Sequence, residues 1–116
     1  MGRKTQKVRR GEIWTQSGGP GYAGKPRPAL IVQSDLLTGT DSIITCLFTS
    51  ATSEDAPTRL RFEPDAENGL LESSDLMTDK MMAIARNKLG RKIGALSPED
   101  MERVEDAMLL VLGFAG

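Results

Sequence analysis

The chain has 116 residues, of which 39% are hydrophobic and 27% are charged, and its formal net charge at pH 7 is −1. This length fits a single folded domain, and the composition argues against wholesale disorder. The chain has no histidine and one cysteine, which excludes His-based nucleophile triads and an internal disulfide. The cysteine, Cys46, lies in an apolar run, and we expect it to be a core residue.

The charge is unevenly distributed. Residues 1–30 carry seven cations and one acid, whereas residues 31–79 carry two cations and ten acids. A basic segment is typical of nucleic-acid binders, because contacts to phosphates release counterions, but a solvated basic tail explains the first residues equally well. We predict a basic tail, disordered or ordered, over residues 1–8 and one domain over residues 9–116.

Neither a membrane span nor a secretory signal is evident. The longest apolar run, residues 107–112, is far shorter than the roughly 20 residues that a membrane helix needs, and the N-terminal residues lack an apolar stretch. We therefore expect a cytoplasmic protein that does not bind membranes.

Four short segments are predicted to be strands, because they are rich in β-branched residues or alternate apolar and polar residues between Gly- and Pro-containing turns. They are "EIWTQ" (12–16), "PALIVQ" (28–33), "SIITCLFTS" (42–50) and "TRLRF" (58–62). The segment 70–85, "LLESSDLMTDKMMAIA", is predicted to add one or two more, with a break near Ser73 or Ser74.

The C-terminal segment is the clearest helix. Ser97 is a good N-cap, Pro98 suits the first helical position, and Asp100 follows the cap by three residues, as in a capping box. Apolar residues then recur at helical spacing until Gly113; they are Met101, Val104, Met108, Val111 and Leu112. Leu109, Leu110 and Phe114 extend this apolar surface and suggest a subunit contact.

Many short strands and a single strong helix indicate a mainly β fold. We predict a small, partly closed antiparallel β-barrel with a C-terminal helix.

The loop before the second strand contains the first candidate for chemistry. In "GKPRPALIV", Pro26 and Pro28 flank Arg27 and restrict it to extended geometry, so little entropy is lost in holding the guanidinium in one place. Such a fixed planar fork suits phosphate oxygens, and it stabilises developing charge. An ordinary loop cation or a salt-bridge partner is the competing interpretation.

Two further candidates lie at the ends of apolar segments. Thr49 and Ser50 end the third strand, where hydroxyls bind a phosphate oxygen or close a turn. Asp79 is followed by Lys80, and a carboxylate there can take a proton from a ribose hydroxyl if partial burial raises its pKa. The competing interpretation of Asp79 is a solvated surface acid.

Two classes of chemistry are not supported by the sequence. "GGPGYAG" lacks the GK[ST] ending of a phosphate-binding P-loop and opens no helix, which argues against nucleotide hydrolysis. The scattered acids of residues 35–67 show no metal-ligand spacing and no EF-hand pattern, so we favour chemistry without a metal or another cofactor.

The order of these motifs resembles the MazF/PemK (Kid) toxins of type II toxin–antitoxin modules. The resemblance covers residues 9 to about 113 and rests on "RRGEIWTQ", "GKPRPALIVQSD", "LFTS" and the segment 79–113. It implies an SH3-like barrel that forms a homodimer and cleaves single-stranded mRNA at specific sequences, without metal, by attack of the 2′-hydroxyl. It also implies a cognate antitoxin that inhibits the toxin, with DNA binding only through the antitoxin complex.

The resemblance assigns roles to individual residues. Arg27 falls on the family's catalytic arginine, Thr49 on its strand-end threonine, and Asp79 on an acid of the Kid-like members. The arginine that usually stands two positions before that acid is Met77 here, so Asp79 is expected to lack its usual cationic partner.

We expect four further residues to contact RNA. Tyr22 is assigned to stacking on a base, Lys25 lies in the same loop, and Ser50 and Lys80 adjoin the catalytic candidates. Trp14 is instead expected in the core. The alternatives to a nuclease are a CcdB-like gyrase-binding toxin with the same fold and a barrel that only binds a partner.

Overall fold

The computed structural model describes residues 7–17, 25–51 and 56–116. These residues form seven strands and one α-helix. The strands are β1 (Glu12–Gln16), β2 (Arg27–Ile31), β3 (Ser42–Thr49), β4 (Arg59–Phe62), β5 (Ser74–Met77), β6 (Met82–Ala85) and β7 (Leu89–Ala95), and the helix is α1 (Pro98–Val111). Single 3₁₀ turns, Thr78–Lys80 and Arg86–Lys88, precede and follow β6.

The strands form one antiparallel sheet in the order β4-β5-β3-β2-β1-β7, and β6 pairs with the first half of β3. β3 is the longest strand, and its two halves pair with different partners: Ser42–Thr45 with β6, and Phe48 and Thr49 with β5. The predicted mainly β fold with a C-terminal helix is confirmed, although no described pairing joins β4 to β7 and the barrel is not closed.

The sheet has a core on each face because its central strands are apolar on both sides. One face packs against α1 and includes Ile13, Leu30, Phe48 and Leu76, all nearly inaccessible to solvent. The opposite face is smaller. Its buried residues are Trp14, Ile31, Ile43 and Leu89. Trp14 is thus in the core, as expected.

The helix begins as predicted. Ser97 is its N-cap, and the Ser97 hydroxyl accepts a hydrogen bond from the Asp100 backbone N–H at 3.1 Å. Gly113 has a φ of +82° and ends the helix, which is the conformation that glycine adopts most easily. The buried positions are Met101, Val104 and Ala107, and the predicted Leu112 is instead more than half exposed.

No helix of the described residues is long and apolar enough to cross a membrane.

Two predictions about the strands were wrong. The segment 70–85 breaks at Thr78–Lys80, not near Ser73 or Ser74, because the buried Thr78 bonds to Thr58: both its N–H (3.1 Å) and its hydroxyl (2.6 Å) donate to the Thr58 carbonyl. Strand β7 was not predicted at all. Its sequence "LGRKIGA" contains two glycines and two adjacent cations, so it lacks the apolar alternation of a typical strand.

Candidate active site

Arg27 is the first residue of β2 and lies opposite Gln16 of β1. Its extended backbone agrees with the restriction that the flanking prolines impose. Pro26 is exposed and Pro28 is half-buried, so the chain passes from solvent into the sheet within three residues. The Arg27 side chain is consequently half-buried at the mouth of the sheet.

The register of the sheet brings Arg27 and Thr49 together. β2 and β3 pair through Ala29 opposite Leu47 and Leu30 opposite Cys46. Continuing this antiparallel register by two residues places Arg27 opposite Thr49, the last residue of β3. Residues directly opposite each other in an antiparallel pair share a face and have Cβ atoms about 5 Å apart. The last residues that pair are Ala29 and Leu47, so the proximity of Arg27 and Thr49 is an extension of this register by two residues.

Thr49 also closes a turn, which was its competing interpretation. Its hydroxyl oxygen accepts a hydrogen bond from the Ala51 N–H at 3.2 Å, and the side chain is half-buried. A hydroxyl that accepts one hydrogen bond can still donate its own proton. The turn thus fixes Thr49 at the strand end with its donor available for another acceptor. Ser50 follows it and is exposed.

A buried polar cluster supports the strand ends below Arg27. The Gln16 side chain is only 2% exposed, and its Oε1 accepts a hydrogen bond from the hydroxyl of the fully buried Thr45 at 2.8 Å. Gln16 Nε2 lies 3.4 Å from the sulfur of Met82. Buried polar groups that are satisfied in this way hold their strands in one register, because any slip leaves them unpaired.

A cleft of about 550 Å³ opens beside the start of β2 and the end of β3. Arg27 and Ser50 line one part of it, and the apolar Phe48, Leu70 and Ile93 line another. The same cleft is lined by two cations of β7, which are Arg91 and Lys92. The cleft therefore combines an apolar surface with three positive side chains and one acidic side chain, Glu72.

Arg91 and Lys92 were missed in the sequence because β7 was not recognised as a strand. The available signal was a cation-rich stretch shortly before the helix, in which Arg86 and Lys88 precede Arg91 and Lys92. Lys92 also pairs with Glu12 at 3.2 Å, which ties β7 to the start of β1.

Asp79 lies in the 3₁₀ turn after β5 and is not among the residues that line the cleft. It lacks the usual cation two positions earlier, where Met77 stands, but it has another cationic partner. Arg59 Nε lies 3.0 Å from Asp79 Oδ1, and Arg59 comes from β4, where it is opposite Met77. The cation that Met77 does not supply thus comes from the neighbouring strand.

The same contact changes the acidity of Asp79. The hydrogen bond from Arg59 is the main reason why the pKa of Asp79 is lowered from its ordinary value of 3.8, against a smaller opposing effect of burial. The carboxylate is therefore ionised at neutral pH, and the raised pKa that would favour a general base is not found. Lys80, in the same turn, is exposed.

Two further residues were predicted to contact RNA, Lys25 and Tyr22. Lys25 is exposed and directly precedes Pro26, so it lies beside the cleft in sequence. Tyr22 falls outside the described residues. Within residues 7–17, 25–51 and 56–116, no group of three or more Cys, Asp or Glu side chains is arranged to hold a metal ion.

The fold is that of the MazF toxins. One similar solved structure is a mycobacterial endoribonuclease in complex with its cognate antitoxin, with a TM-score of 0.78, 22% identity, and coverage of 95% of this chain and 99% of that chain. Another is MazF from Deinococcus radiodurans, with a TM-score of 0.75, 17% identity, and coverage of 94% of this chain and 99% of that chain.

Sequence comparison identifies the family. The profile of the "PemK-like, MazF-like toxin of type II toxin-antitoxin system" family matches residues 9–112. A probable endoribonuclease MazF from Mycolicibacterium smegmatis (strain ATCC 700084 / mc(2)155) is 39% identical over 109 residues, which cover 94% of this chain and all of the relative. The chain belongs to the PemK-like, MazF-like family of type II toxins, and the resemblance noted in its sequence is confirmed.

Proposed function

We propose that this toxin is an endoribonuclease that cuts single-stranded mRNA at specific sequences. Membership of the family and the 39% identity to a probable endoribonuclease over its whole length support the enzyme class. The observation that supports the proposed site is that Arg27 and Ser50 line one cleft with Arg91 and Lys92, next to the end of β3 where Thr49 lies outside the cleft lining.

The reaction we infer is an internal transesterification. The 2′-oxygen of the ribose attacks the adjacent phosphorus, the bond from phosphorus to the 5′-oxygen breaks, and the 2′-proton passes to a base while the 5′-oxygen gains a proton. The products are a 2′,3′-cyclic phosphate and a 5′-hydroxyl end. No metal or cofactor takes part in these steps.

Arg27 has the central role in this proposal. Its guanidinium stays charged at any physiological pH, so it stabilises the charge that develops on the phosphate oxygens and transfers no proton. Thr49, one strand away, donates its hydroxyl proton to a phosphate oxygen or orients the 2′-hydroxyl, and Ser50 binds the same phosphate. Asp79 is the candidate base. Because Arg59 lowers its pKa, the Asp79 carboxylate is ionised at neutral pH and can accept the 2′-proton, but it is a weak base.

RNA binding is assigned to Tyr22, Lys25, Lys80 and Arg91, of which the three cations are exposed. Sequence-specific RNA readers generally bind unstacked single strands, whose bases are accessible to side chains. Tyr22 stacks on a base, Lys25 and Lys80 contact the backbone, and Arg91 extends the cationic surface along β7.

The protein partners follow from the relatives. A mycobacterial endoribonuclease and a MazF of D. radiodurans have each been solved with an antitoxin, and we infer a cognate antitoxin for this chain too. We also infer a homodimer, since Leu109, Leu110 and Phe114, at and just after the end of α1, are 41–78% exposed and form an apolar surface. We infer that this homodimer is cytoplasmic. Any DNA binding occurs through the antitoxin complex.

Incubation of the purified protein with a long RNA in EDTA tests the proposal. Discrete fragments with 5′-hydroxyl ends are expected. Intact RNA together with inhibited DNA gyrase would instead favour the CcdB-like alternative, and intact RNA with active gyrase would favour a barrel that only binds a partner.

A further inference from the structure

An acidic residue, Glu72, lines the cleft that the proposed function assigns to RNA, although a carboxylate repels phosphates. Arg91 lines the same cleft, and both residues are exposed. In the described part of the chain, the Glu72 carboxylate and the Arg91 guanidinium form no ion pair, either with each other or with a third side chain. The cleft thus presents two separate charges of opposite sign to whatever occupies it.

The loop that carries Glu72 is packed closely against β7. The Ala95 N–H donates a hydrogen bond to the Glu67 carbonyl at 2.9 Å. Gly69, three residues before Glu72, approaches β7 so closely that a Cβ there would collide with the Ile93 carbonyl oxygen. Backbone contacts therefore hold this loop at a fixed distance from the strand that carries Arg91.

The backbone of Arg91 is fixed from the other side, by β1. The Arg91 N–H donates a hydrogen bond to the Thr15 hydroxyl at 3.0 Å. A Cβ at the preceding Gly90 would collide with the same hydroxyl, so β7 lies close against β1 here. Both charged side chains consequently start from backbone positions that packing holds in place.

The cleft also has an apolar surface suited to a flat ring. Phe48, Leu70 and Ile93 line it, and Leu71, which also lines it, is 94% exposed. Sites for small organic groups are typically apolar, with a few polar groups that fix the orientation of the ligand. The cleft volume of about 550 Å³ is ample for a nucleobase.

We propose that this cleft binds a guanine base of the RNA near the scissile phosphate, with Arg91 donating to O6 and N7 and Glu72 accepting from N1–H and the 2-amino group. This inference rests on the proposed nuclease function and names the specificity determinants of the same site. Arginine has only donors, and an ionised carboxylate has only acceptors. Guanine presents two adjacent acceptors to the first and two adjacent donors to the second, and both edges are accessible in a single strand.

The other ligands fit this pair of charges less well. Adenine and cytosine place a donor next to an acceptor, so each charged group finds one partner where guanine offers two. Uracil has a single N–H, which lies between two carbonyl oxygens. A phosphate is repelled by Glu72, which the guanine contact instead uses.

The test begins by mapping the 5′ ends of a long transcript cut by wild type, which locates the guanine. Short RNAs then carry guanine, adenine, inosine or 7-deazaguanine at that position. Inosine lacks the 2-amino group that Glu72 accepts from, and 7-deazaguanine lacks the N7 that Arg91 donates to. Cleavage rates are compared for wild type, Glu72→Gln, Arg91→Met and Arg91→Lys.

Glu102→Gln and Lys88→Met are the matched controls, because both residues are exposed and neither lines the cleft. Thermal unfolding establishes that each variant is folded. Both controls are expected to keep the wild-type preference.

Glu72→Gln and Arg91→Met are each expected to lower the preference for guanine over adenine roughly 10- to 100-fold, the range for one bidentate pair, while still cutting. Arg91→Lys is expected to keep the charge without restoring the preference, because lysine lacks the planar fork. Wild type should cut inosine more slowly than guanine, and Glu72→Gln should barely distinguish them. The penalty for 7-deazaguanine should likewise disappear in Arg91→Met.

A wild-type consensus without guanine near the cut, equal wild-type rates on guanine and inosine, or an unchanged preference in both cleft variants overturns the assignment. An unchanged preference with weakened inhibition by the cognate antitoxin also overturns it and gives the cleft to the protein partner. If a variant does not fold, the wild-type rates on the two analogues decide. Wild type that cuts no RNA defeats the proposed function as a whole, which is distinct from cleavage with a preference independent of Glu72 and Arg91.

Discussion

Arg59 Nε lies 3.0 Å from Asp79 Oδ1, although the two residues are 20 positions apart in the chain. β4 and β5 are antiparallel, and Arg59 lies opposite Met77, two residues before Asp79. The pair therefore joins β4 to the 3₁₀ turn that follows β5, and it gives Asp79 a cation although Met77 supplies none.

Arg59→Met is expected to raise the pKa of Asp79 towards 3.8, because the Arg59 hydrogen bond is the main cause of its lowering. The pair is partly exposed, so the stability lost at pH 7 should be under about 1 kcal/mol. Since the folded pKa is below the unfolded one, this contribution is present above about pH 4 and disappears as the pH falls through the folded pKa. NMR titration of the carboxyl group and denaturation at pH 7 and pH 3 measure both effects. An unchanged pKa in the variant would contradict the contact.

Glu12→Gln should destabilise the fold at neutral pH. Burial raises the pKa of Glu12, but hydrogen bonds from Trp14 and the Arg9 N–H, together with Lys92, outweigh it and leave the pKa below 4.5. Losing these charge-assisted bonds should cost about 1 to 2 kcal/mol. The difference from wild type should be full at pH 7 and vanish as the pH falls through the folded pKa.

Urea denaturation at several pH values measures this difference. The exposed Glu102→Gln on α1 is the control and should be neutral. A Glu12→Gln penalty that persists unchanged at pH 3 would show that charge is not its cause.

Cys46 should be chemically inert in the folded protein. Burial raises the pKa of its thiol to about 12, with a smaller contribution from the Asp79 charge, and the side chain is fully buried. The native protein is therefore expected to resist thiol reagents at pH 8 and to react once unfolded. Cys46→Ala should keep RNA cleavage within a few-fold of wild type. Rapid labelling of the native protein, or loss of cleavage in a folded alanine variant, would contradict the core assignment.

Gly94→Ala should be strongly destabilising because β7 passes very close to the loop before β5. A Cβ at Gly94 would lie 2.3 Å from the Asn68 carbonyl carbon and oxygen and 2.5 Å from the Glu67 oxygen, all backbone atoms that cannot rotate away. Overpacking of this kind costs about 1 to 3 kcal/mol. Gly39→Ala is a control for added bulk, since no other atom lies within 4 Å, although its φ of +78° adds its own strain. Equal melting temperatures for Gly94→Ala and wild type would be inconsistent with this packing.

The sequence predicted the elements whose signals are local. Alternation and β-branched residues located β1 to β4, and Ser97, Pro98 and Gly113 located α1. Arg27 and Thr49 were singled out by local chemistry as well, namely paired prolines and a strand end.

The features that depend on strand pairing could not be read from the sequence. The Arg59–Asp79 and Arg61–Asp75 contacts arise from the register of β4 on β5, and the position of Arg91 in the cleft depends on β7. The break at Thr78 reflects a tertiary hydrogen bond to Thr58 rather than any local turn signal.

The rate of RNA cleavage by Arg27→Ala, in EDTA and beside wild type of equal thermal stability, tests the central claim most directly. The account predicts a loss of roughly 10²- to 10³-fold, the usual effect of removing one group that stabilises developing charge, and a substantial loss in Arg27→Lys as well, because lysine lacks the planar fork. Cleavage by a folded Arg27→Ala within a few-fold of wild type would contradict it.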